Sequence, residues 1–445
     1  MSIGKQEESQ GTLWLSYDQL PKSLGHAFYD HLQRILLKGG FDRFAEELCE
    51  PYYAKGKGRP SIPPGRYFRM LLVGYFEGID SERGICWRCA DSLSLREFLR
   101  LDIGQSVPDH SSLSRIRSRL ALEVHHEVFL FVLKLLAEAK LIKGKRLGID
   151  ASTMEANAAL KTIVRRDTGE DYETMLKRLA AESGIATPTK ADLIRFDRKR
   201  KGKTLSNKDW ESPVDPDSRI AKLKDGRTHL AHKPEHVVDL DSCAIVATKV
   251  HHADKGDTEI MHDTLAGAKQ NLKAALGKAA PKYDAPADLA GDKGYHSRGA
   301  LVKLDSSFRS RICEPERRGV SHWHGDEEAR RAVYNNRARL QSATGKNLQK
   351  LRSERVERSF AHCLDSGGMR RTHLRGTENI EKRYLIHVSG FNLGLLMRSL
   401  FKVGTPKGWA DLPSALIFAV FGDTAFVIVL VEAENPVLFA ARINW

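Results

Sequence analysis

Two short apolar segments that each carry an aspartate constrain this chain most strongly. Residues 147–153 contain Asp150, and residues 287–295 contain Asp292. Both segments have strand character, and a strand that ends on aspartate holds the carboxylate rigidly at the edge of a sheet. Two such carboxylates on neighbouring strands, joined by a glutamate, form the oxygen-rich site that Mg²⁺ prefers. In a basic protein, the expected substrate of that site is a phosphodiester.

The charge balance points to a polyanionic partner. The 445 residues include 71 Lys and Arg against 57 Asp and Glu, which gives a formal charge of +14. Nucleic acid is the usual partner of such a protein, and the alternative is a basic protein without one. The length allows two or three domains, and an apolar share of 41% is enough for a real core.

The six cysteines are scattered, and the first residues lack the apolar core of a signal peptide. A reduced, cytosolic setting is therefore expected. Cys86 and Cys89 form a CxxC pair, but no second pair or following histidines stand at zinc spacing. This favours two ordinary helix residues.

The first part of the chain, residues 1–140, reads as an all-α domain. Its strongest helix start has Asp109 or Ser111 as the cap. The helix that follows carries Arg115 and Arg119 four residues apart on one face. That face either enters a DNA groove or is the solvated side of a packing helix, and the two interpretations stay open.

The pattern changes to strands at residue 146, and a polar insertion spans about 155–225. The later elements are two strands at 228–240 and 244–251, a helix at 257–276, a strand at 287–292, a short helix at 297–303, a strand at 308–313 and basic helix at 327–364. This order predicts an α/β domain over 141–400 with an RNase H-like mixed five-stranded sheet and flanking helices. In that fold the first strand and the end of the fourth lie side by side, so Asp150 and Asp292 meet. Asp288 points to the same face as Asp292 and is the alternative ligand.

A third acidic ligand is expected from the last helix. Val356 and Phe360 define the face that packs on the sheet. Glu357 lies roughly 60 to 100° from that face, whereas Glu354 lies roughly 120 to 160° away, toward solvent. Glu357 is therefore preferred, although both could instead be surface partners of neighbouring arginines.

Basic side chains surround this region of the sequence and could neutralise phosphates on either side of the scissile one. The candidates for DNA binding are Arg115, Arg119, Arg352, Arg355, Arg358, Arg370 and Arg371.

The chain resembles DDE transposases of bacterial insertion sequences over most of residues 60–400. The motifs that carry the likeness are at 148–153, 155–157, 226–236, 292–295, 356–360 and 392–394. The resemblance implies that Asp150, Asp292 and Glu357 form a catalytic triad that binds two Mg²⁺ or Mn²⁺ ions. It also implies that the N-terminal helices help to bind terminal inverted repeats of double-stranded DNA. The expected working form is a homodimer or higher multimer, acting in the cytoplasm at the nucleoid and not on a membrane.

Three departures accompany the resemblance. Many relatives carry a basic residue seven positions after the glutamate, where this chain has Leu364. A tyrosine and an arginine commonly precede the glutamate closely, but Tyr334 and Arg337 lie well upstream of it here. The tail, 401–445, is unusually apolar but its longest apolar stretch is short of a membrane span, so we expect a packed or oligomerising segment.

The function expected from the sequence is cleavage of transposon ends and joining of the freed 3′-OH to target DNA. In this two-metal chemistry Asp150 would bridge both ions, and Asp292 and Glu357 would each hold one. No side-chain nucleophile is required. The alternatives are a catalytically inactive, transposase-derived DNA-binding protein and a standalone metal-dependent nuclease.

Overall fold

The fold was analysed in a computed structural model of the chain. The structure describes residues 24–54, 60–102, 104–185, 187–200, 206–222, 226–277, 287–316, 322–323, 325–410, 416–421, 424–429 and 439–443.

The described part of the N-terminal region is helical. Its α-helices are α1 Leu24–Lys38, α2 Phe41–Cys49, α3 Pro64–Phe76, α4 Glu82–Ala90, α5 Leu93–Phe98, α6 His110–Arg119 and α7 Leu122–Glu138. Side-chain caps start several of them. Ser81 accepts a hydrogen bond from the backbone of α4, and Asp109 does the same for α6. Cys86 and Cys89 are residues of α4, as predicted, and burial raises the pKa of both thiols.

The remaining elements form an α/β domain and a tail. In chain order they are β1 Arg146–Ala151, β2 Met154–Glu155, β3 Val164–Arg165, α8 Tyr172–Glu182, α9 Lys190–Lys199, β4 Trp210–Glu211, β5 Arg219–Lys222, β6 Thr228–Asp239, β7 Ile245–His252, α10 Asp257–Leu276, β8 Ala287–Gly291, α11 Arg298–Asp305, β9 Phe308–Ile312, α12 Glu327–Gln341, α13 Ala343–Phe360, α14 Thr377–Phe401, α15 Pro406–Ala410, β10 Leu416–Phe421, β11 Thr424–Val429 and β12 Phe439–Ile443.

The main sheet has the order β7-β6-β1-β8-β9, in which β7, β6 and β1 are antiparallel and β1, β8 and β9 are parallel. This mixed sheet after a helical region confirms the predicted RNase H-like fold. The prediction of five strands omitted two short ones, because β2 and β5 also pair with β6 and bring the sheet to seven strands. Strand β6 is 12 residues long, and β1 pairs only with its second half. The backbone of its first half is therefore available to pair with β2 and β5.

Helices cover both faces of this sheet. His236 on β6 contacts Ser359 of α13 and Tyr384 of α14, so these two helices lie on one face. Glu235, the preceding residue, accepts a hydrogen bond from Thr264 of α10, which covers the opposite face because successive strand residues alternate. One continuous hydrophobic core runs from α1 through the sheet to α15, and α14 packs against both α7 and β7 within it.

The insertion between β2 and β6 has a small core of its own. Trp210 of β4 is buried against Met175 and Leu176 of α8 and Leu193 of α9. Helix α9 ends at Lys199, and part of the basic sequence that follows it falls within residues 201–205, which lie outside the described residues. The insertion is thus a packed unit attached to the edge of the sheet.

The apolar tail contains the antiparallel strands β10, β11 and β12, which pair in that order. The structure gives no role to this segment, so an oligomerising role stays a prediction. Across the described ranges, the helices are all too short or too polar to cross a membrane.

We expect Glu381 on α14 to make the free energy of unfolding depend on pH. Burial raises the pKa of this carboxyl to about 7 from a reference of 4.5, against a lowering effect of Lys249. Because the folded state holds the proton more tightly, the contribution of this carboxyl to stability is fully present below pH 4.5 and is lost as pH rises through about 7. Glu381→Gln should remove this loss, roughly 3 kcal/mol, relative to wild type. Urea denaturation of both proteins at several pH values measures the difference, and parallel pH profiles would contradict it.

Candidate active site

The sheet brings the two predicted aspartates to neighbouring positions. The parallel register of β1 and β8 pairs Gly148 with Ala290. Asp150 and Asp292 each follow two residues later, at the carboxyl ends of their strands. Asp292 caps the short 3₁₀ turn after β8, and its Oδ1 accepts a hydrogen bond of 2.7 Å from the Gly294 backbone. Both carboxylates are therefore fixed by backbone contacts at the same edge of the sheet.

Asp150 lies in an environment that disfavours its negative charge. Burial raises the pKa of this carboxyl to about 6, and the charges of Asp292 and Asp257 add to the effect. Arg352 of α13 opposes it, with Nη1 at 2.8 Å from Asp150 Oδ2. The Ala151 N–H donates to the other oxygen at 2.9 Å. Crowded carboxylates of this kind are stabilised by a nearby cation, and in the structure Arg352 supplies that charge.

Asp257 is a third carboxylate at this edge that the sequence analysis missed. It begins α10, and its Oδ1 lies 2.5 Å from Nζ of Lys233. A side chain at position 294 would collide with Asp257 and crowd Asp292, so the two carboxylates flank Gly294 closely. The acidic first turn of a helix directly after a hairpin is a weak signal, which the sequence carries but which only the fold relates to Asp150.

Asp288, the predicted alternative ligand, is already engaged in ion pairs. Its Oδ1 accepts from Arg309 Nε at 2.7 Å and from Arg311 Nη1 at 2.5 Å. Both arginines lie on β9, directly beside β8. Asp288 therefore links β8 to β9 through these ion pairs, and we do not propose it as a metal ligand.

The two glutamates of α13 take different positions relative to the sheet. Val356 packs over Gly148, and Arg355 donates to the Leu240 carbonyl at the far end of β6 from the aspartates. Glu357 follows Arg355 by two positions, about 200° around the helix, so it lies on the flank toward Asp150. Glu354 points away from the sheet and pairs with Arg358 at 2.7 Å.

Glu357 is exposed, and the structure does not gather it with the two aspartates. Within the described ranges, no three His, Cys, Asp or Glu side chains lie close enough together to hold a metal ion. The structure therefore shows two adjacent aspartates, an arginine bound to one of them, and a glutamate on the near flank of the covering helix.

A buried histidine fixes α13 to the sheet beside this site. His236 is the cross-strand partner of Asp150. Its Nδ1 lies 2.8 Å from Ser359 Oγ, and its Nε2 lies 2.7 Å from the hydroxyl of Tyr384. Ser359 donates its own hydrogen to the Val356 carbonyl, so Nδ1 must carry the imidazole proton and Nε2 must accept. Burial lowers the pKa of His236 to about 3, which keeps the ring neutral.

We expect Ser359→Ala to destabilise the protein by about 1 to 3 kcal/mol, because the buried Nδ1–H of His236 loses its acceptor. Equilibrium denaturation measures this change in the free energy of unfolding. Ser353→Ala on the same helix is the matched control, since Ser353 is not part of this network. Equal stabilities of the two variants would contradict the assigned network.

Two of the arginines predicted to bind DNA, Arg370 and Arg371, lie exposed near the site. Arg370 pairs with Asp365 and also donates to the Thr153 carbonyl at 3.2 Å, just beyond β1. Arg371 lies 3.7 Å from Glu155. Arg358 is exposed and pairs with Glu354, and its charge acts on Cys243 in the turn between β6 and β7, at the opposite end of the sheet from the aspartates.

The other predicted arginines divide between interior and surface. Arg352 and Arg355 bind Asp150 and the Leu240 carbonyl, so both are directed into the protein rather than toward solvent. Arg115 and Arg119 are exposed on α6, and Arg119 stacks over the Tyr53 ring at 4.8 Å. DNA contact by any of these residues stays a prediction.

The positions that depart from the family pattern are also placed. Leu364 is fully buried in a π-helical turn, Ala361–Ser366, so this position offers no room for a charged side chain. Tyr334 is exposed on α12, and Arg337 lies over its ring while pairing with Glu314.

A helical region followed by a mixed sheet of this order, with aspartates at the ends of its two central strands, defines a protein with an RNase H-like domain. Residues 17–119 match the family described as Transposase domain (DUF772), and residues 197–393 match the family described as Transposase DDE domain. The chain belongs to the DDE transposases of insertion sequences. The second match includes Asp292 and Glu357 and begins after Asp150. No curated protein and no solved structure matches the chain.

Proposed function

We propose that this DNA transposase cleaves the ends of its element and joins the freed 3′-OH to target DNA, using Asp150, Asp292 and Glu357 as metal ligands. The observation that carries the proposal is the adjacency of Asp150 and Asp292 at the carboxyl ends of β1 and β8. The position of Glu357 on the near flank of α13 supports its choice over Glu354.

The donor set fits a hard divalent cation such as Mg²⁺ or Mn²⁺. All three side chains offer carboxylate oxygens, and burial together with nearby carboxylates makes an unneutralised Asp150 unfavourable. Bound Mg²⁺ would lower the pKa of a water and stabilise the charge that develops on the leaving oxygen. Arg352, which neutralises Asp150 in the structure, would be available to a phosphate once a cation takes over that role.

The residues of the chain then position the metal-binding carboxylates and form no covalent bond to the DNA. The backbone of Ala151 fixes one oxygen of Asp150, and that of Gly294 fixes one oxygen of Asp292. Cys313 is close enough for Asp292 and Arg352 to act on its thiol, but burial raises the pKa of that thiol, which makes it a poor nucleophile. Water is therefore the first nucleophile, and the freed 3′-OH is the second.

The basic surface provides for DNA binding. Arg370 and Arg371 lie beside the carboxyl end of β1, where they could contact phosphates next to the scissile one, and Arg358 could contact DNA farther from the site. Arg115 and Arg119 on α6 present a second basic surface for the terminal inverted repeats. A multimer that bridges two ends completes the proposal, with the protein acting on DNA at the nucleoid.

Incubation of the purified protein with labelled end DNA, a target plasmid and Mg²⁺ tests the proposal. We expect labelled end DNA joined to the plasmid, and no product when EDTA replaces Mg²⁺. Cleaved ends without joined products would identify a nuclease instead. DNA binding without either product would identify a protein that has lost catalysis.

A further inference from the structure

A cavity of about 520 Å³ lies between the N-terminal helices and the segment 369–374 that follows the π-helical turn. It is separate from the pair of aspartates. Its walls come from the start of α4, from α6, from α14 and from that segment. The basic side chains and imidazoles that line it are Arg83, His110, Arg117, Arg371, His373 and Arg383.

Arg383 is a buried cation without a matching anion. Its side chain lines the cavity, and the residue is 3% exposed. Nη2 donates to the Ile79 carbonyl at 3.2 Å, whereas Nε has no partner. In the portion of the chain that the structure describes, no carboxylate forms an ion pair with it. Burial lowers its pKa to about 10, which expresses the cost of an uncompensated charge. A buried charge in this state calls for a counter-ion.

The acidic residues of the cavity are already paired. Glu82 forms an ion pair with Arg117, and Asp80 pairs with His373 at 3.0 Å. Arg117 is itself 9% exposed, and its Nε also lacks a partner. Among the described residues, Arg383 is therefore the buried guanidinium of the cavity that lacks a carboxylate partner, whereas the charge of Arg117 is matched by Glu82. Exposed Arg83 and Arg371 add positive charge at its rim.

One wall of this cavity is hydrogen-bonded to the chain just beyond β1. The Thr372 N–H donates to the Glu155 carbonyl, and the Glu155 N–H donates to the Arg370 carbonyl, both at 2.9 Å. Glu155 follows Asp150 by five residues. A group bound in the cavity thus lies against residues 369–374, which are themselves hydrogen-bonded to β2.

We propose that this cavity binds a phosphate group of a DNA nucleotide, with Arg383 as the buried cation and Arg83 and Arg371 at the rim. The identity of the phosphate as part of DNA rests on the proposed function. Guanidinium groups match phosphate oxygens in geometry as well as charge. The volume falls in the range of small-molecule sites and exceeds what a lone phosphate fills, so the attached sugar and base also have room.

Thermal unfolding of the full chain, at constant ionic strength and without divalent cation, tests anion binding separately from catalysis. The added probes are dTMP, inorganic phosphate and thymidine. We expect dTMP to raise the Tm with saturation, phosphate to do so more weakly, and thymidine to have no effect. Arg383→Met should weaken dTMP binding by about tenfold or more, the effect of losing hydrogen bonds to a charged group.

The rim gives a variant that does not disturb the core. Arg83→Ala should weaken dTMP binding severalfold, whereas Arg88→Ala on the same helix, outside the cavity, should leave it unchanged. A wild-type Tm that does not respond to dTMP would overturn the proposal. An unchanged dTMP affinity in both Arg383→Met and Arg83→Ala would do the same.

Competition identifies the source of the phosphate. End DNA should displace a fluorescent dTMP analogue from the wild-type protein. Bound analogue that end DNA leaves in place would refute the DNA assignment, even if strand joining is observed. Loss of joining with intact displacement would count against the proposed chemistry and support the cavity.

Discussion

Asp150→Asn and Asp292→Asn should each reduce cleavage of end DNA by roughly 10⁴-fold, as expected for a residue on which the chemical step depends. Each substitution keeps the size of the side chain and removes one carboxylate charge. The two carboxylates are adjacent at the ends of β1 and β8. Each substitution therefore leaves only one of these two carboxylates to bind the cation. Single-turnover cleavage of labelled end DNA in Mg²⁺ measures the effect.

Binding and folding should survive these substitutions. The pKa of Asp150 is raised by burial, so replacing it with a neutral amide removes an unfavourable charge while it breaks the pair with Arg352. A gel-shift measurement with end DNA should therefore give an affinity close to wild type. Asp263→Asn is the matched control, since Asp263 is an exposed aspartate of α10 that pairs with Lys249. Cleavage retained by Asp292→Asn would contradict the assignment.

The order of strands and helices was predictable because each element has a local signature. Helix α10 occupies Asp257–Leu276, as its apolar spacing predicts, and the hairpin of β6 and β7 lies where two β-rich runs flank a turn. The short strands β2 and β5 have only 2 and 4 residues, too few for a periodic signal. Their pairing depends on the length of β6, which local patterns do not reveal.

The adjacency of the two aspartates was predictable from the fold, whereas their neighbours were not. Arg352 was expected at a DNA phosphate, but in the structure it reaches Asp150, which is 202 residues earlier in the chain. Asp257 and Gly294 come together through the connection of α10 to the sheet. Contacts of this kind follow from tertiary packing and have no sequence spacing of their own.

The buried cations of α14 show the same limit. Lys382 and Arg383 are both basic and both follow the last acidic ligand in the sequence, so local pattern gives either one the character of a phosphate contact. The structure buries both: Lys382 pairs with Glu378 and donates to the Arg117 carbonyl, whereas Arg383 faces the cavity. Their partners, not their burial, distinguish the two residues, and composition alone treats them as equivalent.

Glu357→Gln should reduce the rate of end cleavage by roughly 10⁴-fold, whereas Glu354→Gln should leave that rate within about twofold of wild type. The two glutamates are three residues apart on α13 and both are exposed, so neither change should affect folding. Glu354 loses only a surface pair with Arg358, which contributes little to stability. Glu357 lies on the flank toward Asp150, from which a carboxylate can extend to a shared cation.

Single-turnover cleavage and gel shift, run on both variants, decide between the two glutamates. Loss of cleavage in Glu354→Gln with activity retained in Glu357→Gln would exchange their roles and contradict the position inferred from Arg355 and Val356. Full activity in both variants would place the third carboxylate elsewhere. Asp257, whose charge already acts on Asp150, would then be the residue to replace, because it flanks Gly294 together with Asp292.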